Sequence, residues 1–339
     1  MGPDDAGAVV PPARGAAVSV AVVIPYFQRQ PGILARALAS VLAQQTDEPL
    51  DIIVVDDESP VPARTELSTL APQQQARVRI VEQRNGGPAA ARNKALDNVA
   101  PGTEYVAFID SDDTWEPAHI ANALRALRAG HDFYFADFYQ LHQSVSAFER
   151  AGRIDPARHA LLPGETQLHR YQADMQGQIL GGNVIGTSTV VYRYGSFRSL
   201  RFREEFVYAG EDYLFWLDLA RMTDRIAFSS AREVVYGPGV NIFAGSGWGT
   251  EKSLIRLHYE MKYKKAIARL YPLTVQQAED NRRAVQQLRR SFVADVVHRV
   301  AHRKPFLAVL LKQLKVDAKS VLFFVPLAVG LVLQRKRTA

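Results

Sequence analysis

Hydrophobic and polar positions divide the first half of the chain into short apolar runs alternating with helical repeats. Residues 18–24 form a valine-rich run, and residues 31–45 place Ile33, Leu34, Leu38, Val41 and Leu42 at helical spacing. Residues 50–55, 77–81 and 105–109 are three further apolar runs. Residues 88–99, behind Gly86 and Gly87, and residues 117–127, closed by Gly130, read as helices. Continuous β-branched runs suit strands covered on both faces. Four such strands separated by helices imply right-handed crossovers and a mainly parallel sheet with flanking helices, an α/β class.

The pattern loosens after a run at 133–139. Residues 140–180 read as a connecting region, 187–193 as a strand, 212–220 as a helix and 233–236 as a short strand. Residues 244–250 form a glycine-rich loop around Trp248, and residues 251–303 are mostly helical. Residues 1–17 read as a loose Gly/Ala/Pro leader, without the basic start and cleavage site of a signal peptide. The expected organisation is thus a leader (1–17), an α/β domain (18–250) and a basic helical C-terminal region (251–339).

Composition narrows the function. The chain has 339 residues, 47% hydrophobic and 22% charged, which excludes a disordered chain. With no cysteine, thiolate metal sites and cysteine nucleophiles are excluded too. The net charge of +6 hides an asymmetry: residues 251–339 carry 19 Lys/Arg against 6 Asp/Glu. Within that region residues 321–333 are uncharged and lie between Lys319 and Arg335-Lys336-Arg337. As a helix they would span about 20 Å, short of the roughly 30 Å hydrocarbon core. They read either as an interfacial or re-entrant segment with basic anchors on an anionic membrane surface, or as a buried core helix. Nucleic acid is disfavoured, because no aromatic stacking platforms are interleaved with the basic residues.

In an open α/β sheet, ligands bind beyond the carboxyl ends of the strands. Pro25-Tyr26 ends the first predicted strand, Asp56-Asp57 the second, and Asp110-Ser111-Asp112-Asp113 the fourth. Alternate residues of an extended chain face the same way, so Asp110 and Asp112 can share one site. Such oxygen donors suit Mg²⁺ or Mn²⁺ with substrate phosphates completing the shell. No G-x-G-x-x-G or G-x-x-x-x-G-K-[ST] loop is present, so acids and a divalent ion must handle any phosphates.

Five segments then carry a specific resemblance: V-V-I-P-Y-F-Q-R (22–29), V-V-D-D-E-S (54–59), R-N-G-G-P-A-A-A-R-N-K-A-L (84–96), F-I-D-S-D-D-T-W-E-P (108–117) and G-E-D-Y-L-F-W-L (210–217). Their order and spacing resemble family-2 inverting glycosyltransferases of the Rossmann-like GT-A fold, and the C-terminal part resembles bacterial exopolysaccharide enzymes of the succinoglycan type. The resemblance implies a nucleoside-diphosphate sugar donor, a UDP-sugar, and the basic tail with its apolar end points to a saccharide or polyprenyl-linked acceptor met at the cytoplasmic face of the membrane. It implies that Pro25, Tyr26 and Arg29 line the nucleotide pocket, that Asp56 or Asp57 accepts from the base, and that Arg84, Asn85, Gly86 and Arg92 close over the nucleotide. Asp110 and Ser111 would lie at the ribose, and Asp112 with Asp110 would hold Mn²⁺ or Mg²⁺, with Asp113 in support. Asp212 would be the general base, with Glu211 beside it.

Further candidates are less determined. His258 is either a late metal ligand or a helix histidine. Trp248 is either an acceptor-stacking lid or a packed aromatic, and Thr187 and Ser188 are expected near the acceptor. Glu58 stands where the family commonly has Gly, so the turn there is expected to differ. No Q-x-x-R-W is present, which argues against a processive synthase. The competing functions are an inactive binding module, which would be expected to lose acids, and a sugar nucleotidyltransferase, which would usually carry a Gly-rich signature after its first strand.

Overall fold

The computed structural model describes residues 20–140, 143–238 and 247–322. The expected leader, the first two residues of the first apolar run, the glycine-rich residues 244–246 and the apolar segment from 323 onward lie outside the described residues. The elements are β1 (Val20–Tyr26), α1 (Ile33–Leu42), β2 (Leu50–Asp56), α2 (Ala63–Leu67), α3 (Pro72–Gln75), β3 (Val78–Glu82), α4 (Pro88–Asp97) and β4 (Tyr105–Phe108). They continue with β5 (Thr114–Trp115), α5 (His119–Arg128), β6 (Phe133–Tyr139), α6 (Ala147–Ala151), β7 (Leu168–Arg170), α7 (Met175–Gly181), β8 (Val191–Tyr192), α8 (Glu211–Met222) and β9 (Ile226–Val235). The C-terminal helices are α9 (Ser253–Leu270), α10 (Val275–Ala301), α11 (Leu307–Val316) and α12 (Lys319–Leu322).

One sheet runs β3-β2-β1-β4-β8-β6-β9-β5, with β7 also on β9. The first four strands pair in parallel, as the sequence predicts. Beyond them the sheet is mixed: β8 lies antiparallel between β4 and β6, and β6 pairs in parallel with β9. Alternate β1 residues point to opposite faces. Val20, Val22 and Ile24 enter a core with Leu34, Leu38 and Val41 of α1, while Ala21 and Val23 enter one with α4 and α8. Registers that pair Tyr26 with Asp56 and Asp56 with Glu82 bring the three strands to an end in line. That shared edge positions the site.

Three expectations are adjusted. The connecting region 140–180 contains α6, β7 and α7, too short for periodicity to reveal. The strand expected at 233–236 is the end of the ten-residue β9, whose polar Ser-Ser-Ala-Arg stretch lies where its register against β6 shifts. Residues 187–189 form a 3₁₀ turn rather than the start of a strand.

Tyr263, Ala266, Ile267 and Tyr271 of α9 belong to the same core as α8. Around Leu254, Leu257, Phe292 and Val296, α9 and α10 build a smaller core that Phe306, Val309 and Leu310 cover. Among the described residues, no helix is long and apolar enough to cross a membrane.

Candidate active site

The turn after β4 is built to crowd acids together. Asp113 N–H donates to Asp110 O at 3.0 Å, closing the turn. Ser188, fully buried, reaches it from the 187–189 turn: its hydroxyl donates to Asp113 Oδ2 at 2.5 Å and accepts from Asp110 N at 2.9 Å. Gly237 N–H donates to Asp113 Oδ1 at 3.0 Å. A Cβ on Gly237 would sit 1.6 Å from the Asp112 carbonyl oxygen, so only glycine permits this approach. Burial, followed by the charges of Asp112 and Asp110, pushes the Asp113 carboxyl well above its usual range. Gln28 donates to the Ser111 hydroxyl at 3.1 Å, tying the end of β1 to this turn.

Arg92 of α4 joins two parts of the site. Its guanidinium is buried, donating to Asp110 Oδ1 at 2.7 Å and to Glu211 Oε1 at 3.3 Å, with the Phe202 ring 5.2 Å from its carbon. Glu211 and Asp212 open α8, where the positive end of the helix dipole favours carboxylates. Asp212 Oδ1 accepts from Tyr213 N at 2.8 Å, and Thr187 Oγ1 stands 3.5 Å from Oδ2. Burial raises both acids, Glu211 to about 8, with the Asp212 charge adding to the rise and Arg92 opposing it. A buried acid pair thus faces a carboxylate turn through one buried cation.

Behind this network, Gly210 caps the start of α8 with a φ of 92°. A Cβ there would meet Tyr263 of α9 at 2.6 Å, and Tyr263 packs edge-on against Tyr213.

The Asp56-Asp57 pair at the end of β2 holds loops. Asp56 accepts from Ser59 N and Ala63 N, and Asp57 from Gln83 Nε2, Gly86 N and Gly87 N, all at 2.7–2.8 Å. An ionised carboxylate offers about four acceptor positions, so capacity remains for a ligand N–H. The Arg84–Gly87 segment is thereby fixed over the strand ends, with Arg84, Asn85 and Gly86 exposed. Tyr26 is buried, Pro25 half-buried and Arg29 exposed. Glu58 corrects one expectation. It keeps the glycine-like conformation at φ 59°, and its carboxylate accepts from Asn85 N at 3.2 Å. Left-handed backbone costs a side-chain-bearing residue about 1–2 kcal/mol.

Two candidates lie elsewhere than expected. His258 is turned into the C-terminal helices, its Nδ1 2.7 Å from Gln313 Oε1, with Lys262 and Lys312 as its charged neighbours; this places it outside the acid turn. Ser188 supports the turn from below and has no exposed surface to offer an acceptor. Trp248 is exposed, with its ring beside His298 of α10. Among the described residues no three His, Asp or Glu side chains form a complete metal cage. Asp110 and Asp112 lie on the same turn as Asp113, and their charges crowd its carboxyl.

The sequence reading missed Tyr236. Its ring stacks on Phe138 with centroids 4.5 Å apart, and its hydroxyl lies 2.3 Å from where a Cβ on Gly186 would sit. Burial, then the Asp113, Asp110 and Asp212 charges, raise its pKa well above the phenol range, so it stays a protonated donor among acids.

The mixed sheet, with acids and a buried arginine gathered at its strand ends, has the fold of GT-A glycosyltransferases. The model of "Glycosyl transferase family 2" matches residues 21–200, and the chain belongs to that family. It is 39% identical over 228 residues to the succinoglycan biosynthesis protein ExoW of Rhizobium meliloti, covering 66% of this chain and 70% of that one. Among solved structures, residues 1–349 of S. aureus TarS in complex with UDP-GlcNAc superpose with a TM-score of 0.52 at 15% identity, covering 84% of this chain and 73% of that one. The mannosyltransferase PcManGT of Pyrobaculum calidifontis, in complex with GDP-Man and Mn²⁺, gives 0.52 at 17% identity, covering 91% and 84%. These structural likenesses establish the fold.

Proposed function

We propose that the chain is an inverting glycosyltransferase that moves one sugar from a nucleoside-diphosphate donor, a UDP-sugar, to a saccharide or polyprenyl-linked saccharide in bacterial polysaccharide biosynthesis, working at the inner face of the membrane. The observation that carries the reading is the Arg92 bridge, which joins Asp110 of the donor side to the Glu211–Asp212 pair. The name of the ExoW relative supports the polysaccharide role, and the UDP-GlcNAc held by TarS supports the donor class.

The residues divide the work by position. The 84–87 segment and the strand-end acids hold the nucleotide, with Asp56 or Asp57 accepting from the base. Asp110 and Asp112 would hold Mn²⁺ or Mg²⁺, which when bound neutralises charge on the leaving diphosphate. Asp212 takes the proton of the acceptor hydroxyl as its oxygen attacks the anomeric carbon from the face opposite the diphosphate. Inversion follows from that geometry. Arg92 keeps Glu211, at the start of the helix that carries Asp212, in register with Asp110 and opposes the negative charge gathered there.

The test is release of nucleoside diphosphate from a panel of sugar nucleotides with Mn²⁺ or Mg²⁺. Asp212→Asn should lower transfer roughly a hundredfold or more while leaving donor affinity nearly intact. Asp112→Ala should remove the metal-dependent part of donor affinity. Loss of donor binding in Asp212→Asn, or normal metal dependence in Asp112→Ala, would put these residues in the wrong roles.

A further inference from the structure

Exposed apolar side chains gather toward the C-terminal end of the described chain. Val300 is 55% exposed, Leu307 60%, Leu311 54% and Leu322 72%. Leu307 and Leu311 are four residues apart on α11 and so share one face. Lys312 and Lys315 are exposed on the same helix, and Arg303 and Lys319 are exposed beyond its two ends. The other side of α11 is occupied. Val309 and Leu310 pack on the Phe292–Val296 cluster, and Gln313 is buried against His258 and Ser320.

Along residues 296–322 no exposed carboxylate accompanies these cations. Asp317 is the only acid between residues 296 and 322, and it is buried beneath Lys265 and Arg289. A leucine stripe flanked by lysines is complementary to a surface that is apolar below and anionic at its boundary. A second copy of the same face would instead set lysines against lysines, which disfavours self-pairing.

We propose that the exposed face of α11 docks on an anionic lipid bilayer, with Leu307 and Leu311 entering the interfacial layer and Lys312, Lys315 and Lys319 meeting headgroup phosphates. The sequence beyond residue 322 continues the same composition, apolar to residue 333 and then Arg335-Lys336-Arg337. This inference deepens the membrane-surface part of the proposed function by naming the surface, and its test needs no sugar transfer.

The experiment is sedimentation of the purified full chain with vesicles of phosphatidylcholine, alone or with about a third phosphatidylglycerol. The chain should partition at least about tenfold better onto the anionic vesicles. Leu307→Ser with Leu311→Ser should weaken that partition by about tenfold or more, because two interfacial leucines are lost. Lys312→Glu with Lys315→Glu should abolish the preference for phosphatidylglycerol. Both pairs are exposed, so unfolding temperatures should match the parent. Undiminished partition of the leucine variant would overturn the proposal and give the role to another surface, residues 323–339 included. A dimer in gel filtration that the leucine substitutions dissociate, without vesicle binding, would overturn it in favour of self-association. Transfer to a water-soluble acceptor, measured alongside, should be unchanged in these variants. Its absence from the parent chain would count against the proposed function and leave the vesicle result standing.

Discussion

Replacing Arg92 with Met keeps an unbranched apolar stem at this position and removes the charge that joins the two halves of the site. The side chain of Arg92 is 4% exposed, and its partners Asp110 and Glu211 are 32% and 12% exposed. Breaking a buried ion pair by deleting one partner costs about 3–5 kcal/mol. Water at Asp110 and the readiness of Glu211 to take a proton reduce this to roughly 2–4 kcal/mol. For 339 residues the unfolding entropy is about 0.7 kcal/mol/K, so the expected fall in Tm is about 3–6 °C. The loss should depend on pH with a definite sign. Without the guanidinium, the pKa values of Glu211 and Asp212 rise further in the folded state. The native protein then binds more protons than the unfolded chain, and stability falls as pH rises. Scanning calorimetry of both proteins at about pH 5 and about pH 8 should therefore show the larger difference at the higher pH. A difference that is the same at both, or below about 1 °C, would refute the role assigned to Arg92.

Two further expectations concern its neighbours. Glu211, raised to about 8, is mostly neutral at neutral pH. Glu211→Gln should therefore keep activity within about threefold there, in contrast to Asp212→Asn, and should remove the loss of stability that the parent shows as pH climbs from the ordinary carboxyl range through about 8. A pH–stability profile identical to the parent's would contradict the raised pKa. Tyr236→Phe keeps the stack on Phe138 and deletes a protonated donor among the acids. We expect kcat to fall about tenfold with Tm unchanged, read from steady-state kinetics and thermal unfolding. Unaltered kcat would remove Tyr236 from the site.

Much of this arrangement was legible in the chain itself. The parallel strands β1 to β4 follow from continuous Val/Ile runs, and the acids fall at their carboxyl ends, where the registers bring Tyr26 and Asp56 level. Ser188, Tyr236 and Gly237 were less legible. Each acts through the antiparallel insertion of β8 or the parallel return of β9, long-range pairings that no local period encodes. Residues 187–189 have strand-like composition, yet the hydroxyls decide the outcome: Thr189 Oγ1 donates to Gly186 O, and Ser188 is spent on the acid turn. The partner of His258 was likewise set by a helix 55 residues away. Glu58 shows the opposite case, where the fold imposed a left-handed turn on a residue type that resists it.

The contact of Tyr263 with Gly210 binds the fate of the C-terminal helices to that of the chemistry. A single aromatic ring from α9 seats the first turn of α8, and with it the two acids that open the helix. Chimeras made to trade donor or acceptor preference between relatives would therefore have to carry α9 along with the sheet. A graft joined at the glycine-rich segment before it would leave the helix that carries Glu211 and Asp212 without its backstop.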